Sequence, residues 1–441
     1  MKENKVINNA KWIVICKLAQ SVLQLVVGMI SARYLGPSNY GLISYAASIV
    51  AFAIPVMRLG FNATLVREYI EAPQEQSKIT GTAIALNVLS SLVCMLGVIG
   101  FSAVSNGNDT TTILVCGLYS LSLIFAAVEM IQYWFQYKLL SKYSSIIMLV
   151  SYFGVSAYKI ILLAAQKSVY WFAVSHSVEY GLIALCLFVV YYKQGGRMSF
   201  SWSLAKKLLN NSKHYILAAL MLVVIQNTDH VMLTLMIGEA ENGYYSAAIT
   251  AAGIFQFVYT AIVDSYRPVI LADKKEGSQS YHLNLTRLYS ITLYLSLAES
   301  MVFTVGGKII IGILYGDAYA AAVPVLRILV WFFVFSMMGT VRNVWILAEQ
   351  KQKYLWIINL SGALFNVVMN LILIKPLGAR GAALASLMTQ AFANFVLGFI
   401  WKPLRENNRL ILDSLRPGFA LEEGKKLLST VLKKEKDERR K

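Results

Sequence analysis

Residues 31–48 read SARYLGPSNYGLISYAAS, and residues 235–252 read LMIGEAENGYYSAAITAA. Gly36 and Gly238, Gly41 and Gly243, Ser44 and Ser246, and Ala46 and Ala248 are each separated by 202 positions. The same separation relates Asn8, Asn9 and Lys11 to Asn210, Asn211 and Lys213, so two halves begin alike. Each has a polar lead, a long apolar run, a glycine turn and a second apolar run. Glycine at both turn ends suits helices that must reverse within a few residues, where φ becomes positive. A second correspondence, at 211 positions, links Trp134, Lys142 and Tyr143 to Trp345, Lys353 and Tyr354 and carries the repeat beyond one hairpin. The pattern predicts a duplicated membrane bundle.

Composition agrees. Of 441 residues, 57% are hydrophobic and 14% charged, too apolar for an ordinary soluble chain. The hydrocarbon core of a bilayer is about 30 Å thick and offers no partner to bare backbone groups, so spans of about 20 apolar residues are required. Such runs recur throughout. The net charge of +17 does not point to nucleic acid, because the cations sit in short loops and in the tail. Four cysteines stand singly in apolar runs with no CxxC or Cys/His spacing, so they read as small core residues and no metal site or cofactor is expected. The first apolar run carries no small-x-small cleavage site and reads as an uncleaved first helix.

The expected fold is an all-α integral membrane protein of about twelve transmembrane helices in two six-helix lobes. The spans fall near 12–34, 40–59, 79–104, 111–135, 145–165, 169–192, 214–237, 244–263, 288–305, 322–346, 354–374 and 382–401. Most of the forty Lys and Arg lie in alternate loops, which places both termini in the cytoplasm and makes the span number even. Both halves then enter from the same side, as parallel repeats related by an axis along the membrane normal.

The domain reading is an N-terminal lobe over 1–192, an amphipathic cytoplasmic linker over 193–213, a C-terminal lobe over 214–401 and a basic cytoplasmic tail over 402–441. In the linker, Trp202, Leu204, Leu208 and Leu209 alternate with Arg197, Lys206 and Lys207. A short helix on the anionic inner leaflet is expected there, each cation adding about 1 kcal/mol. Residues 307–323, GKIIIGILYGDAYAAAV, read as an interfacial helix and turn on the outer side.

Ionisable groups inside spans carry the functional signal, since each costs a few kcal/mol unless paired or wetted. Lys17 and Arg58 are placed to face an inward-opening cavity or to snorkel to the inner headgroups. In the second half Arg327, three residues after Pro324 near the outer end of its span, is placed to snorkel outward or to line an exit path, and Arg342 has the same two options on the inner side. These four are the candidate substrate-binding cations. Asp229 and His230 close the polar run QNTDH, 226–230, which suits ion coupling or a helix-packing clamp. Glu129 and Glu299 are lone carboxylates able to carry a proton or to hydrogen-bond a neighbouring helix. His176 and Glu179 share a helix face, as in a local salt link, and Lys159 and Asp264 complete the embedded set with Asp264 close to an interface. No HExxH, GxSxG, GxxxxGK[ST] or displayed carboxylate pair occurs, so the chain does not read as an enzyme.

Four stretches taken together, ARYLGPSNYGLISYAAS at 32–48, DHVMLTLMIGEAENGYYSAA at 229–248, LYGDAYAAAVPVLRIL at 314–329 and PLGARGAALASL at 376–387, carry a resemblance. Their order and spacing resemble the polysaccharide-transport branch of the MOP exporter superfamily, the Wzx-type flippases of lipid-linked oligosaccharides. The resemblance implies two six-helix lobes that alternate between inward-open and outward-open forms and move an undecaprenyl-diphosphate-linked repeat unit outward across a bacterial cytoplasmic membrane. In that picture Lys17 and Arg58 attract the diphosphate, and Asp229 couples to Na+ or H+ or balances cavity charge. It also implies membrane lipids, a polysaccharide polymerase and other assembly proteins as partners. An acid at position 229, where lipid II flippases tend to show cavity arginines, favours the Wzx-type reading over that one. A MATE-like multidrug exporter, an oligosaccharide polymerase or acyltransferase, and a scaffold without transport are the competing expectations.

Overall fold

The computed structural model describes residues 2–107, 109–278, 280–416 and 418. The end of the basic tail, 419–441, therefore lies outside the described residues. Those described contain no strand. The helices are α1 (Lys2–Met57), α2 (Phe61–Glu71), α3 (Gln76–Ser105), α4 (Thr110–Ser120), α5 (Ser122–Ala126), α6 (Ile131–Tyr137), α7 (Ser141–Ala164), α8 (Val169–Lys193) and α9 (Trp202–Met236). They continue with α10 (Glu239–Ala252), α11 (Gln256–Glu276), α12 (Ser280–Tyr315), α13 (Ala322–Ala348), α14 (Leu355–Leu377), α15 (Ala379–Ala391), α16 (Leu397–Ile400) and α17 (Arg405–Ser414).

Among the described residues ten helical segments are long and apolar enough to span a membrane, and the pair α10 and α11, bent by 45° at Gly253–Phe255, makes an eleventh. The first of these segments, Ala19–Glu71, is 53 residues long and breaks at Gly36, where φ is 72° and ψ 171°. The break divides it into two helical arms. Pro37 begins the second arm of α1, a position where its fixed φ suits a helix and its missing N–H costs nothing.

The side chains are sorted as a bilayer requires. On α3 the buried face holds Thr80, Asn87, Ser91 and Ser102, whereas Leu89, Val93, Leu96 and Val104 are exposed. In water that arrangement would leave a large apolar surface open. In lipid the exposed leucines and valines face acyl chains, while Thr80 bonds Tyr69 of α2 and Asn87 and Ser91 bond carbonyls along α3.

The chain folds as two compact units. The first comprises the residues up to Ala247 together with Leu314–Ala318, and the second Ala248–Ile313 with the described residues from Tyr319. In the first, one apolar core gathers Phe61, Leu65, Tyr69, Trp134 and Tyr191, and another gathers Tyr45, Val50, Cys116 and Ala173. In the second, Tyr289, Val341, Trp345 and Ile411 lie in one core.

The correspondence at 211 positions reappears in the backbone. After Trp134, Leu140 N–H donates to the Phe135 carbonyl at 2.7 Å and Leu139 takes φ 57°; after Trp345, Lys351 N–H donates to the Ile346 carbonyl at 2.9 Å and Gln350 takes φ 53°. Both are helix stops with a left-handed residue, built without glycine.

Two local expectations change. The linker does not form a separate leaflet helix, because α9 runs unbroken for 35 residues from Trp202, a stretch without Gly or Pro to stop it. The proposed outer interfacial helix is instead the end of α12, which continues to Tyr315 before a short turn at Asp317–Tyr319.

Candidate functional site

The duplicated turn meets its own copy. A Cβ on Gly41 would strike the Glu239 carbonyl, and a Cβ on Gly243 would strike the Pro37 carbonyl. Residues 41 and 243, and 37 and 239, are equivalent at the 202-residue spacing, so the contact is two-fold in character and requires hydrogen at both Cα positions. Asn242, wholly buried, crosses this joint: its Nδ2 donates to the Gly41 carbonyl at 2.8 Å. That leaves Oδ1 as acceptor, 2.7 Å from His230 Nδ1, which therefore carries the hydrogen. Tyr245 Oη donates to Asp229 Oδ2 at 2.7 Å, and the His230 ring meets Tyr245 edge-on. Asp229 and His230 thus fasten α9 to α10 at the joint.

Arg58 lies in the turn that ends α1. Its Nη2 is 2.7 Å from Glu129 Oε2, with the arginine side chain 26% exposed and the glutamate 8%. The sequence offered these as separate candidates, one for substrate and one for ions; the fold makes them one pair. Arg58 Nε is buried without a hydrogen-bond partner, so the guanidinium has donor capacity that Glu129 does not take up. In the same unit His176 Nδ1 lies 3.9 Å from Glu179 Oε2 and stacks on Tyr119 at 4.1 Å. Lys17 sits on α1, but its side chain is outside those described.

Glu299, Arg327 and Arg342 belong to the second unit. Tyr259 Oη donates to Glu299 Oε2, while Oε1 is buried without a hydrogen-bond partner. Arg342 is 5% exposed and donates from Nη1 to the Ala393 carbonyl at 2.6 Å. That carbonyl lies in a π-helical turn, Phe392–Val396, where the regular ladder is interrupted. Arg327 is exposed beside Gly307 of α12.

Two acidic groups escaped the sequence reading because they sit at helix ends rather than within spans. Glu68, 1% exposed, pairs with Lys207 Nζ at 2.9 Å and accepts from Asn211 Nδ2 at 2.8 Å, tying the start of α9 to α2. The hydrogen bond to Glu68 raises the Lys207 ammonium above its ordinary value. Glu349 accepts from Lys274 at 2.5 Å and from Tyr281 at 2.8 Å. Burial pushes its carboxyl up, but those two bonds and the charges of Lys274 and Lys351 outweigh it and hold the carboxyl below the usual range. Among the described residues no three His, Cys, Asp or Glu side chains converge as metal ligands would.

Comparison with known proteins places this geometry in context. A family model described as polysaccharide biosynthesis protein matches residues 6–272, more than half of the chain. An uncharacterized membrane protein, MJ1068, of Methanocaldococcus jannaschii is 25% identical over 305 residues, which is 65% of this chain and 57% of that relative. The chain thus spans under two thirds of the length of the curated relative it matches. Among solved structures, the lipid II flippase MurJ in an inward-closed conformation superposes with TM-score 0.68 at 14% identity, covering 91% of this chain and 90% of MurJ. An inward-facing multidrug resistance MATE transporter of the MOP superfamily superposes with TM-score 0.63 at 15% identity, covering 90% and 98%. The protein is a multi-pass membrane protein with the fold of the MOP-superfamily transporters, and it belongs to the polysaccharide biosynthesis protein family.

Proposed function

We propose that the protein is a flippase rather than an enzyme, moving an undecaprenyl-diphosphate-linked oligosaccharide repeat unit from the inner to the outer leaflet of a bacterial cytoplasmic membrane. The family match carries the reading, since surface-polysaccharide assembly requires a lipid-linked sugar to change leaflets. A diphosphate and its sugars cannot cross about 30 Å of hydrocarbon unaided, and polar protein groups must replace their hydration. Alternating access, with rocking of one lobe on the other, suits a duplicated bundle.

Within this reading Arg58 is the best-supported diphosphate contact, being partly open and holding spare donors. Glu129 neutralises it in the absence of substrate. A proton arriving on Glu129 frees Arg58 for the diphosphate, which makes the pair a coupling device as well as a binding one. Glu299 is the second candidate coupling acid, and Asp229 and His230 serve the joint between the repeated turns. Membrane lipids, a polysaccharide polymerase and other assembly proteins are the proposed partners.

The likeness to a MATE transporter keeps a cation-coupled drug exporter as the second reading, and the likeness to MurJ keeps a lipid II flippase as a variant of the first. Purified protein in liposomes, offered a fluorescent undecaprenyl-diphosphate oligosaccharide, lipid II or an organic cation, separates them. Leaflet exchange of the oligosaccharide lipid is the expected result. Cation export without lipid exchange contradicts it.

A further inference from the structure

The first unit contains a cavity of about 250 Å³ that none of the candidate transport residues lines. Gln76, Ser77, Trp134, Lys138, Gln194 and Arg197 surround it. Four spans terminate around it, since Pro73–Ser105 and Ser141–Ala164 begin there and Thr110–Tyr137 and Val169–Lys193 end there. The cavity therefore lies at the depth where hydrocarbon gives way to headgroups.

Its walls are fixed by bonds distributed over several helices. Trp134 Nε1 donates to Gln76 Oε1 at 3.1 Å, and Tyr191 packs edge-on against Trp134 at 4.9 Å. Tyr191 Oη donates to the Arg197 carbonyl at 2.6 Å, and Ser199 N–H donates to the Ser77 carbonyl at 2.9 Å. Gly196 lies so close over the Tyr191 ring that a Cβ there would clash. The turn bearing Arg197 is thus held in place by both its ends.

The charges are of one sign. The Lys138 ammonium rests 5.7 Å from the Trp134 ring centre and 5.2 Å from that of Tyr137, and Arg197 is exposed. Among the described residues neither cation has a carboxylate within ion-pair distance, while Glu75, beside Gln76 in the chain, is engaged by Lys78 at 3.0 Å. Two cations, two amides and a hydroxyl around a small cavity are suited to a phosphate group. The volume is below the ~300–1,000 Å³ of pockets that take drug-sized molecules, so an oligosaccharide does not fit.

We propose that this cavity binds the phosphate headgroup of an anionic membrane lipid, held by Lys138 and Arg197 on the lysine-rich end of the first unit. Its depth at the span ends, with Leu140 also in the lining and Leu139 exposed alongside, favours a lipid phosphate over a soluble one. The site is independent of the transported substrate.

The test titrates the purified full-length protein with phosphatidylglycerol, phosphatidylcholine and sn-glycerol 3-phosphate, reading bound species by native mass spectrometry. The native protein is compared with Lys138→Ala/Arg197→Ala and with Lys78→Ala, which removes a cation outside the cavity. Phosphatidylglycerol affinity is expected to fall roughly ten-fold in the double variant and to hold in Lys78→Ala. Equal phosphatidylglycerol binding by native and double variant overturns the site. Glycerol phosphate binding as tightly as the lipid overturns the lipid assignment in favour of a soluble phosphate. Should the double variant unfold, Arg197→Gln alone, at an exposed side chain, is read against the same two outcomes.

Discussion

Arg58 and Arg342 are both withdrawn from solvent, one in each unit, and the fold satisfies them by different chemistry. Arg58 faces a carboxylate, Glu129, and keeps about a quarter of its side chain open. Arg342 is closed off and bonds a backbone carbonyl exposed by a π-turn. A carboxylate can be neutralised by a proton, so the first arrangement can be switched. A carbonyl cannot, so the second is fixed. The difference teaches that burial of a charge in a membrane protein does not by itself mark function; what sets Arg58 apart as the proposed substrate contact is a partner that a proton can neutralise.

The largest expected effect comes from breaking the switchable pair. Arg58→Ala leaves Glu129 charged and buried, and should cost about 3–5 kcal/mol of stability. Arg58→Met combined with Glu129→Leu should cost clearly less than the two single changes added, in a double-mutant cycle of thermal unfolding. Additive costs would show that the two side chains do not interact.

Arg342→Met sharpens the contrast. It removes one hydrogen bond and leaves the Ala393 carbonyl unmet, for about 1–3 kcal/mol. Sugar-lipid exchange per folded molecule should be unchanged, and a loss of exchange at constant folding would place Arg342 in the transport path.

Tyr259→Phe is expected to be milder in stability, about 1 kcal/mol, because a single hydrogen bond to Glu299 is lost. If Glu299 is a coupling acid, the dependence of exchange on an imposed pH gradient should change in this variant. An unchanged dependence removes Glu299 from the coupling scheme.

The smallest effect concerns pH. Glu349 lies outside the spans and its carboxyl is held low, so its contribution to stability is fully present above the ordinary carboxylate value of about 4.3 and disappears as pH falls through its lower folded value. Thermal unfolding of native protein and Glu349→Gln should differ at neutral pH and converge in acid. A difference that persists unchanged in acid contradicts this assignment.

Much of this fold was legible in the chain because its signals are local. Apolar runs mark spans, and Gly36 and Gly238 mark the two copies of one turn. The second repeat was visible through Trp134 and Trp345, although its left-handed residues, Leu139 and Gln350, carry no glycine and could not be read as helix stops. Pairings between distant residues were not legible. Arg58 and Glu129 are 71 positions apart, and nothing in either neighbourhood names the other. Glu68 escaped because a carboxylate near a helix end reads as solvated, yet α9 covers it. The continuity of α9 was legible in principle from the absence of Gly and Pro over 202–236, but the polar run 210–214 imitated a boundary.

The most direct measurement follows leaflet exchange of a fluorescent undecaprenyl-diphosphate oligosaccharide in liposomes, comparing Arg58→Lys, Glu129→Gln and Arg342→Met at equal amounts of folded protein. Impaired exchange in the first two, with Glu129→Gln also losing its response to a proton gradient, and native exchange in the third is the predicted result. Native exchange in both Arg58→Lys and Glu129→Gln would contradict the claim that this pair receives the diphosphate.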